Sequence, residues 1–500
     1  MPEQFLHGVE VVEVSDGTSA ISTVKSSVIG LIGTAPDSQE AVTASMATGS
    51  VGDNTALTWT SKLAGALGND ISVSMRSPGT ASAPLSITVS GKAIIVSLAT
   101  SAAKAITTTA TLLKTAIAAN ASANALVTVA STGVSTGAGV LGYQATSYLS
   151  GGLDEAFPLN TPVLIAGSAT AAAALGSNGT LPAAIDDIFD QVGAAIVVVR
   201  VEEGDDAAET AANIVGSAAA SSGVYAFLGA ESAVGVAPRI LVAPEFTDDP
   251  TNGVVQELLI VAARLRAVVI ADGPSMTDSD AVQYIQNFGS DRLYVVDPAV
   301  KVVVDGVTVI RPASARVAGI ISLGDNARGF WWSPSNQEIA GIVGTERPIN
   351  FSLGDPNSQA NLLNESNIAT IIRQDGFRLW GNRTTSSDPK YAFLCVRRTA
   401  DIIIDSIQRA HLWAIDRPIT KTYVKDVTER VTAYLRDLKN QGAIIDGKCW
   451  ADPDLNTPAN ISNGEVFFDF DFAPTYPAEH ITFRVSINND YLSEIVSTES

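Results

Sequence analysis

Between Thr161 and Val304 the chain repeats one pattern, a short uninterrupted apolar run followed by a longer amphipathic stretch. The runs are TPVLIAGS, AIVVVRV, RILVAPEF, VVIADGP and RLYVVDPAVKVV. A strand with one wet face alternates apolar and polar residues. These runs have no polar side, so they must be covered on both faces. The stretches LPAAIDDIFDQVG, VVQELLIVAARLRA and SDAVQYIQNFG carry helical spacing and supply the cover. Such runs alternating with helices predict a largely parallel α/β sheet. An earlier run, Val28 to Ile32 in SSVIGLIGTAPDS, predicts one more buried strand, ended by Pro36-Asp37.

Two other regions break this pattern. From Val51 to Ser150 small residues crowd together and charges are sparse. Here ITVSGKAIIVSLA predicts a hairpin turning at Ser90–Gly91, and ATLLKTAIAANASA predicts one helix. The region reads as an inserted, mostly-β module between the turn-rich ends GSVGDN and LSGGLD. After RGFWWSPSN come two helices. TADIIIDSIQRAHLWAI places Ile403, Ile407, Ala410 and Ala414 on one face. VKDVTERVTAYLRDLKNQG does the same with Val424, Val427, Val431, Tyr434 and Leu438, and stops at Gly442.

Near the C-terminus the period drops to two. Val466, Phe468, Phe470 and Phe472 alternate with Phe467, Asp469 and Asp471; after PTYP, Ile481, Phe483, Val485 and Ile487 alternate with Thr482, Arg484 and Ser486. Two half-buried strands joined as a hairpin are predicted, and a bare hairpin has two open edges that invite pairing with another chain. The predicted fold class is therefore multidomain, α/β and α+β. An α/β middle domain spans 23–50 and 151–316, the mostly-β insert 51–150, and an α+β C-terminal domain 317–487. Arms flank them at 1–22 and 488–500. The first arm contains GVEVVEV, with β-prone Val9, Val11 and Val14 set among Glu10 and Glu13.

The chain has 31 Lys and Arg against 52 Asp and Glu, a net charge of −21, which argues against binding nucleic acid or anionic membrane. No stretch of about 18 apolar residues predicts a membrane span, and the N-terminus lacks the basic and apolar regions of a signal peptide. Cys395 and Cys449 form no CxxC pair, and a buried free thiol is expected at Cys395. His7, His411 and His480 stand at no metal-binding spacing, so neither metal nor cofactor is expected. There is no Gly-x-Ser-x-Gly elbow and no Gly-x-Gly-x-x-Gly turn, and GLIGTAPDS lacks the Lys-Ser/Thr of a phosphate loop. Asp186, Asp187 and Asp190 are expected on a solvated helix face. From Arg397 to Lys439 nine basic residues oppose six acidic ones. This is either a cationic patch facing an acidic partner or ordinary i,i+4 pairing, as in Asp405–Arg409 and Asp426–Arg430. A cytoplasmic α/β enzyme with a β insert and a different virion or surface structural protein are the alternatives.

Several segments, taken in order, resemble the contractile tail sheath proteins of myophages and related injection systems. They are HGVEVVEV…SSVIGLIGTAP, GALGNDISV, TPVLIAGS, AIVVVRV, RILVAPEF, RPASARVAGIISLGDNARGFWWSPSNQEIAG and NESNIATIIRQDGFRLWGNRTTSSDPKYAFLCVRRTADIIIDSI. The resemblance covers nearly the whole chain and is most specific from Arg311 onward. It implies a structural subunit of the virion tail rather than an enzyme. Such subunits stack as hexameric rings around an inner tail tube and contract to drive the tube through a target envelope. Implied partners are further copies, the tube protein, and baseplate and terminator proteins, without nucleic-acid contact or membrane insertion. The resemblance also implies that both arms donate strands to a neighbour's C-terminal sheet. Val9, Val11 and Val14 would then be donors at one end, and Tyr491 to Val496, including Ile495, at the other. The acceptors would be Phe468, Phe470, Phe483 and Val485. Arg409, His411, Lys421 and Lys425 become the candidate tube-facing residues, and 51–150 points outward as decoration.

Overall fold

The computed structural model describes residues 20–495, so Val9, Val11, Val14 and Val496 lie outside the described residues. Two compact units emerge. One holds the described residues up to Thr34, Pro162–Ala169, and the chain from Ala183 onward; the other holds Ala35–Thr161 and Thr170–Pro182. The second unit exceeds the predicted insert because the flanks of 51–150 pair with each other: Val42 bridges Leu153 and Ser45 bridges Ser150.

The first unit is built on an eight-stranded sheet in the order Phe377–Trp380, Ile368–Arg373, Leu293–Val296, Val268–Asp272, Ile240–Val242, Ile29–Thr34, Ala195–Val201, Pro162–Ala166. The inner strands run parallel and the two outermost are antiparallel. Ile29–Thr34 lies in the middle with all of its residues buried, as its unbroken apolar run requires. On one face the helices Val254–Leu265 and Asp278–Ile285 seal a core that includes Val197, Phe227, Leu258 and Val269.

Three departures from the sequence expectation have physical causes. RLYVVDPAVKVV forms two strands, because Asp297-Pro298 interrupts it. Leu293–Val296 stays in the main sheet, while Val300–Val304 joins Val307–Arg311 and Gly344–Thr345 in a separate three-stranded sheet. Ile368–Arg373 and Phe377–Trp380, expected in the C-terminal domain, extend the α/β sheet, so that domain runs past residue 316. Asp187, expected in solvent, is buried between Arg311 (2.9 Å) and Arg316 (2.7 Å); Asp186 and Asp190 remain exposed.

In the second unit, Ser45–Thr48, Leu57–Ser61 and Val127–Ser131 form one sheet, and Ser86–Ser90, Ala93–Ser97, Ser72–Arg76 and Gln144–Tyr148 form another. Trp59 is buried between them and the helices, its indole N–H donating to Thr48 Oγ1 at 2.9 Å. The predicted hairpin is present, turning at Gly91 with φ +60°. The predicted single helix is two, Ala110–Ala119 and Ala121–Leu126, because Asn120 ends the first and its side chain caps the second through Ala123 N.

Helix Leu394–Ala410 is bound to the α/β sheet by buried charge. Asp401 and Asp405 stand one turn apart on it. Asp401 accepts from Arg292 (2.6 and 2.8 Å) and from Arg397 (3.2 and 2.8 Å). Asp405 accepts from Arg239 and from Arg409 Nε (2.9 Å). Arg398 holds Asp325 at 2.8 and 2.5 Å. Replacing Asp401 with Ala takes the only carboxylate among the described residues from the largely buried Arg292 and leaves Arg397 with Asp291 alone. Such a variant should lose about 3–5 kcal/mol, read as a lower urea midpoint of the monomer.

A second buried carboxyl sits where Val268–Asp272 meets helix Ser314–Arg328. Asp272 accepts from Ser314 N (2.8 Å) and Ser314 Oγ (2.5 Å), and burial pushes its pKa up from 3.8 to about 7. A folded-state pKa above the unfolded value means that the native chain holds the proton more tightly. Stability from this group is full below pH 3.8 and is lost as pH rises to about 7, by about 4 kcal/mol at ~1.4 kcal/mol per unit. Asp272→Asn cannot ionise. The wild-type stability minus that of the variant should therefore fall between pH 4 and 7; a flat difference in chemical denaturation would refute this.

Candidate functional site: an open hairpin and an unpaired segment

Helix Lys421–Gln441 begins where Thr420 Oγ1 accepts from Tyr423 N (3.1 Å) and ends at Gly442, φ +82°. That left-handed residue turns the chain directly into strand Ile444–Ala451. Its antiparallel partner is Phe468–Pro474, with Cys449 opposite Phe470 and Lys448 opposite Asp471. Sequence patterning had paired the phenylalanine strand with 481–487 instead. It missed Ile444–Ala451 because Asp446 and Gly447 spoil the alternation and the register slips between Ile444 and Asp446.

Among the described residues the hairpin is a sheet of two strands. Its inner face rests on a cluster including Val431, Tyr434, Leu435, Leu438 and Ile403, and Phe468, Phe470 and Phe472 are only partly buried there. The outer face carries Asp469, Asp471 and Ala473 on one strand and Asp446, Lys448 and Trp450 on the other. Partial burial and a hydrogen bond with Asp452 push the Asp469 carboxyl above the ordinary carboxylate range.

Past Pro474 the chain is held at two points and then released. Tyr476 packs edge-on to Phe393 (6.1 Å), and Glu479 takes a bidentate pair from Arg383 (2.8 and 2.5 Å). Among the described residues beyond Glu479 there is no strand. Phe483, Val485 and Ile487 are 90%, 93% and 92% exposed, and Ile481 is 65% exposed. Phe483 and Val485, expected inside a hairpin, therefore stand in water. Tyr491 and Ile495, expected in a donor strand, lie in a 3₁₀ turn, Asn489–Ile495. The N-terminal segment emerges beside the same hairpin: Ile21 and Val24 pack into its cluster, and Val24 N donates to Ser406 Oγ (3.0 Å).

Two of the four candidate tube-facing residues are engaged within the subunit. Arg409 is committed to Glu231 and Asp405. His411 Nδ1 lies 2.6 Å from Ile407 O, so the ring closes its own helix. Lys425 pairs loosely with Glu429 at 3.7 Å, and Lys421 is exposed without an ion pair among the described residues. Arg430 stacks on Trp413 (4.1 Å) with Arg417 also over that ring (4.8 Å), in place of the expected pairing with Asp426. Arg397 and Arg398 are buried and ion-paired, while Arg417, Lys421, Lys425, Arg436 and Lys439 remain exposed. Cys395 is buried, and burial raises its thiol to about 11. Among the described residues no cluster of His, Cys, Asp or Glu could hold a metal ion, and no helix is long and apolar enough to cross a membrane.

The same segments match known families. Residues 386–488 match the phage tail sheath C-terminal domain, 215–385 the phage tail sheath protein central domain, and 146–201 the N-terminal region of domain III of the tail sheath protein Gp18. A tail sheath protein of Burkholderia phage BcepMu is 30% identical over 98% of both chains. A prophage major tail sheath protein of Pseudomonas aeruginosa is 46% identical over 67% of this chain and 88% of its own. Among solved structures, the anti-feeding prophage helical sheath in the contracted state is similar in fold, with a TM-score of 0.52 and 22% identity over 66% of this chain and 89% of that one. With a relative matched end to end and the C-terminal hairpin inside a matched domain, the chain belongs to the phage tail sheath protein family.

Proposed function

We propose that the chain is a structural subunit of a contractile tail sheath in the virion tail, and that its copies are joined by exchange of the 481–487 segment. The observation that carries this is the alternating apolar row Ile481, Phe483, Val485 and Ile487, left in solvent, together with a sheet that has only two strands among the described residues. Adding that segment to the hairpin of another copy buries the row and completes the backbone hydrogen bonds. The acceptor is the hairpin Ile444–Ala451 and Phe468–Pro474, and the donor is 481–487 rather than Tyr491 to Val496. A second donor is the N-terminal segment around Val9, Val11 and Val14.

Copies stack as hexameric rings around an inner tail tube, with baseplate and terminator proteins at the ends. Contraction passes the lattice from one packing of rigid subunits to another and drives the tube through the target envelope. The energy lies in the difference between the packings and needs no nucleotide. The tube-facing surface is the exposed end of helix Lys421–Gln441, with Lys421 and Lys425 as its cations. The unit containing 51–150 faces outward.

Phe483→Asp with Val485→Asp should leave monomer unfolding within about 0.5 kcal/mol of wild type, since both side chains are already exposed. The same variant should form no long hollow cylinders in negative-stain microscopy; normal cylinders would sink strand exchange. Lys421→Glu with Lys425→Glu should weaken tube-dependent polymerisation while leaving tube-free association intact. Unchanged assembly on tubes would remove these residues from the tube-facing surface.

A further inference from the structure

We propose that 481–487 of one copy docks on the free edge of Phe468–Pro474 of another, and that Arg484 selects this edge by meeting Asp469 and Asp471. The inference rests on the strand-exchange reading and adds the edge and the residue that chooses it.

Backbone hydrogen bonding cannot make this choice, because both edges of a two-stranded sheet offer the same row of N–H and C=O groups. Side chains must decide. The Phe468–Pro474 edge has on its inner side the half-covered row Phe468, Phe470 and Phe472, and on its outer side Asp469, Asp471 and Ala473. The Ile444–Ala451 edge has only Gly447 and Cys449 toward the middle of its inner side, with Asp446, Lys448 and Trp450 outside.

The donor is two-sided in the same way. Its odd-numbered residues, Ile481 to Ile487, are apolar, and its even-numbered ones are Thr482, Arg484 and Ser486. Docking the apolar row inward extends the phenylalanine row and places Arg484 on the outer face. A slip by one residue would put Phe483 and Val485 back in water and press Arg484 onto Phe470, so the parity is enforced.

On the outer face the two edges differ in charge. Asp471 carries no ion pair among the described residues, and Asp469 has a second carboxylate, Asp452, as its neighbour. An arriving guanidinium neutralises this acidic strip, and oppositely charged cross-strand neighbours support pairing. At the other edge the side chain waiting is Lys448, a like charge lying over Trp450 at 5.1 Å, and the nearby Asp446 is already held by Lys439 at 3.1 Å. Arg484 is therefore attracted to one edge and repelled from the other. The edge beside Lys448 is left for the acidic N-terminal segment, with Glu10 and Glu13 between its valines.

The test is a charge swap in the full-length chain, with assembly followed by sedimentation and negative-stain microscopy. Arg484→Glu should raise the concentration needed for assembly at least about tenfold, and so should Asp469→Lys with Asp471→Lys. All three changes together should restore assembly to within about threefold of wild type. Arg484 is exposed, so its variant should keep the wild-type unfolding curve. Wild-type assembly by Arg484→Glu, or failure of the triple variant to recover, overturns the edge assignment. Truncation after Glu479 separates this from the broader reading. If the truncated chain polymerises as wild type does, exchange of the 481–487 segment is wrong; if it does not, and the swap fails, only the assignment of edge and residue falls.

Discussion

On the proposed reading, a sheet edge left open among the described residues and an alternating apolar segment left bare satisfy each other between copies. The energetics of one such link are close to balanced. Burying four apolar side chains gains roughly 6–12 kcal/mol gross, at about 1.5–3 kcal/mol each. Ordering seven residues costs roughly 7–14 kcal/mol, at about 1–2 kcal/mol each. The hydrogen bonds of the added strand, about 1 kcal/mol net apiece, tip the balance. A single link is marginal, whereas a subunit held by several gains from effective concentration. Links of this strength suit a lattice that must hold and also rearrange.

Rearrangement by rigid bodies requires that the body be stiffer than its connections. The buried carboxylates Asp401 and Asp405 supply stiffness, because each is enclosed by arginines from both the helix and the sheet. Moving the helix relative to the sheet would pull Asp401 and Asp405 away from the buried Arg292 and Arg239. At the root of the donor segment the balance is the reverse. Arg383 and Glu479 are each more than a third exposed, and an ion pair in that setting contributes at most about 1 kcal/mol. Glu479 is therefore where the chain can turn without disturbing the core. On the proposed mechanism, the contrast between an enclosed network and a solvated clasp assigns the motion to the segment beyond Glu479.

Much of the α/β sheet was legible because strands covered on both faces cannot hide their pattern. AIVVVRV and VVIADGP have no polar side to offer water, and they became inner strands of a parallel sheet. Where the outcome depended on a distant partner, local pattern was silent. Asp187 shares helical spacing with solvated Asp186 and Asp190, and only the arrival of Arg311 and Arg316 from more than a hundred residues away makes its burial tolerable. The strands Ile368–Arg373 and Phe377–Trp380 belong to the main sheet because Leu293–Val296 has a free edge for them, which neither segment records by itself.

The donor segment marks a deeper limit of the same kind. Period-two alternation in Ile481 to Ile487 states that one face will be buried, but it carries no information about whose body does the burying. Phe468 to Phe472 and Ile481 to Ile487 look alike as sequence. One found its partner 21 residues upstream, at Cys449 opposite Phe470, and the other has none among the described residues. The difference lies in the connection. Tyr476 and Glu479 tie the intervening chain to Phe393 and Arg383, so the second segment leaves from that clasp rather than folding back on the first. A self-closing hairpin would satisfy every local preference of these residues, and it would also consume the edge through which, on the proposed reading, one copy holds the next.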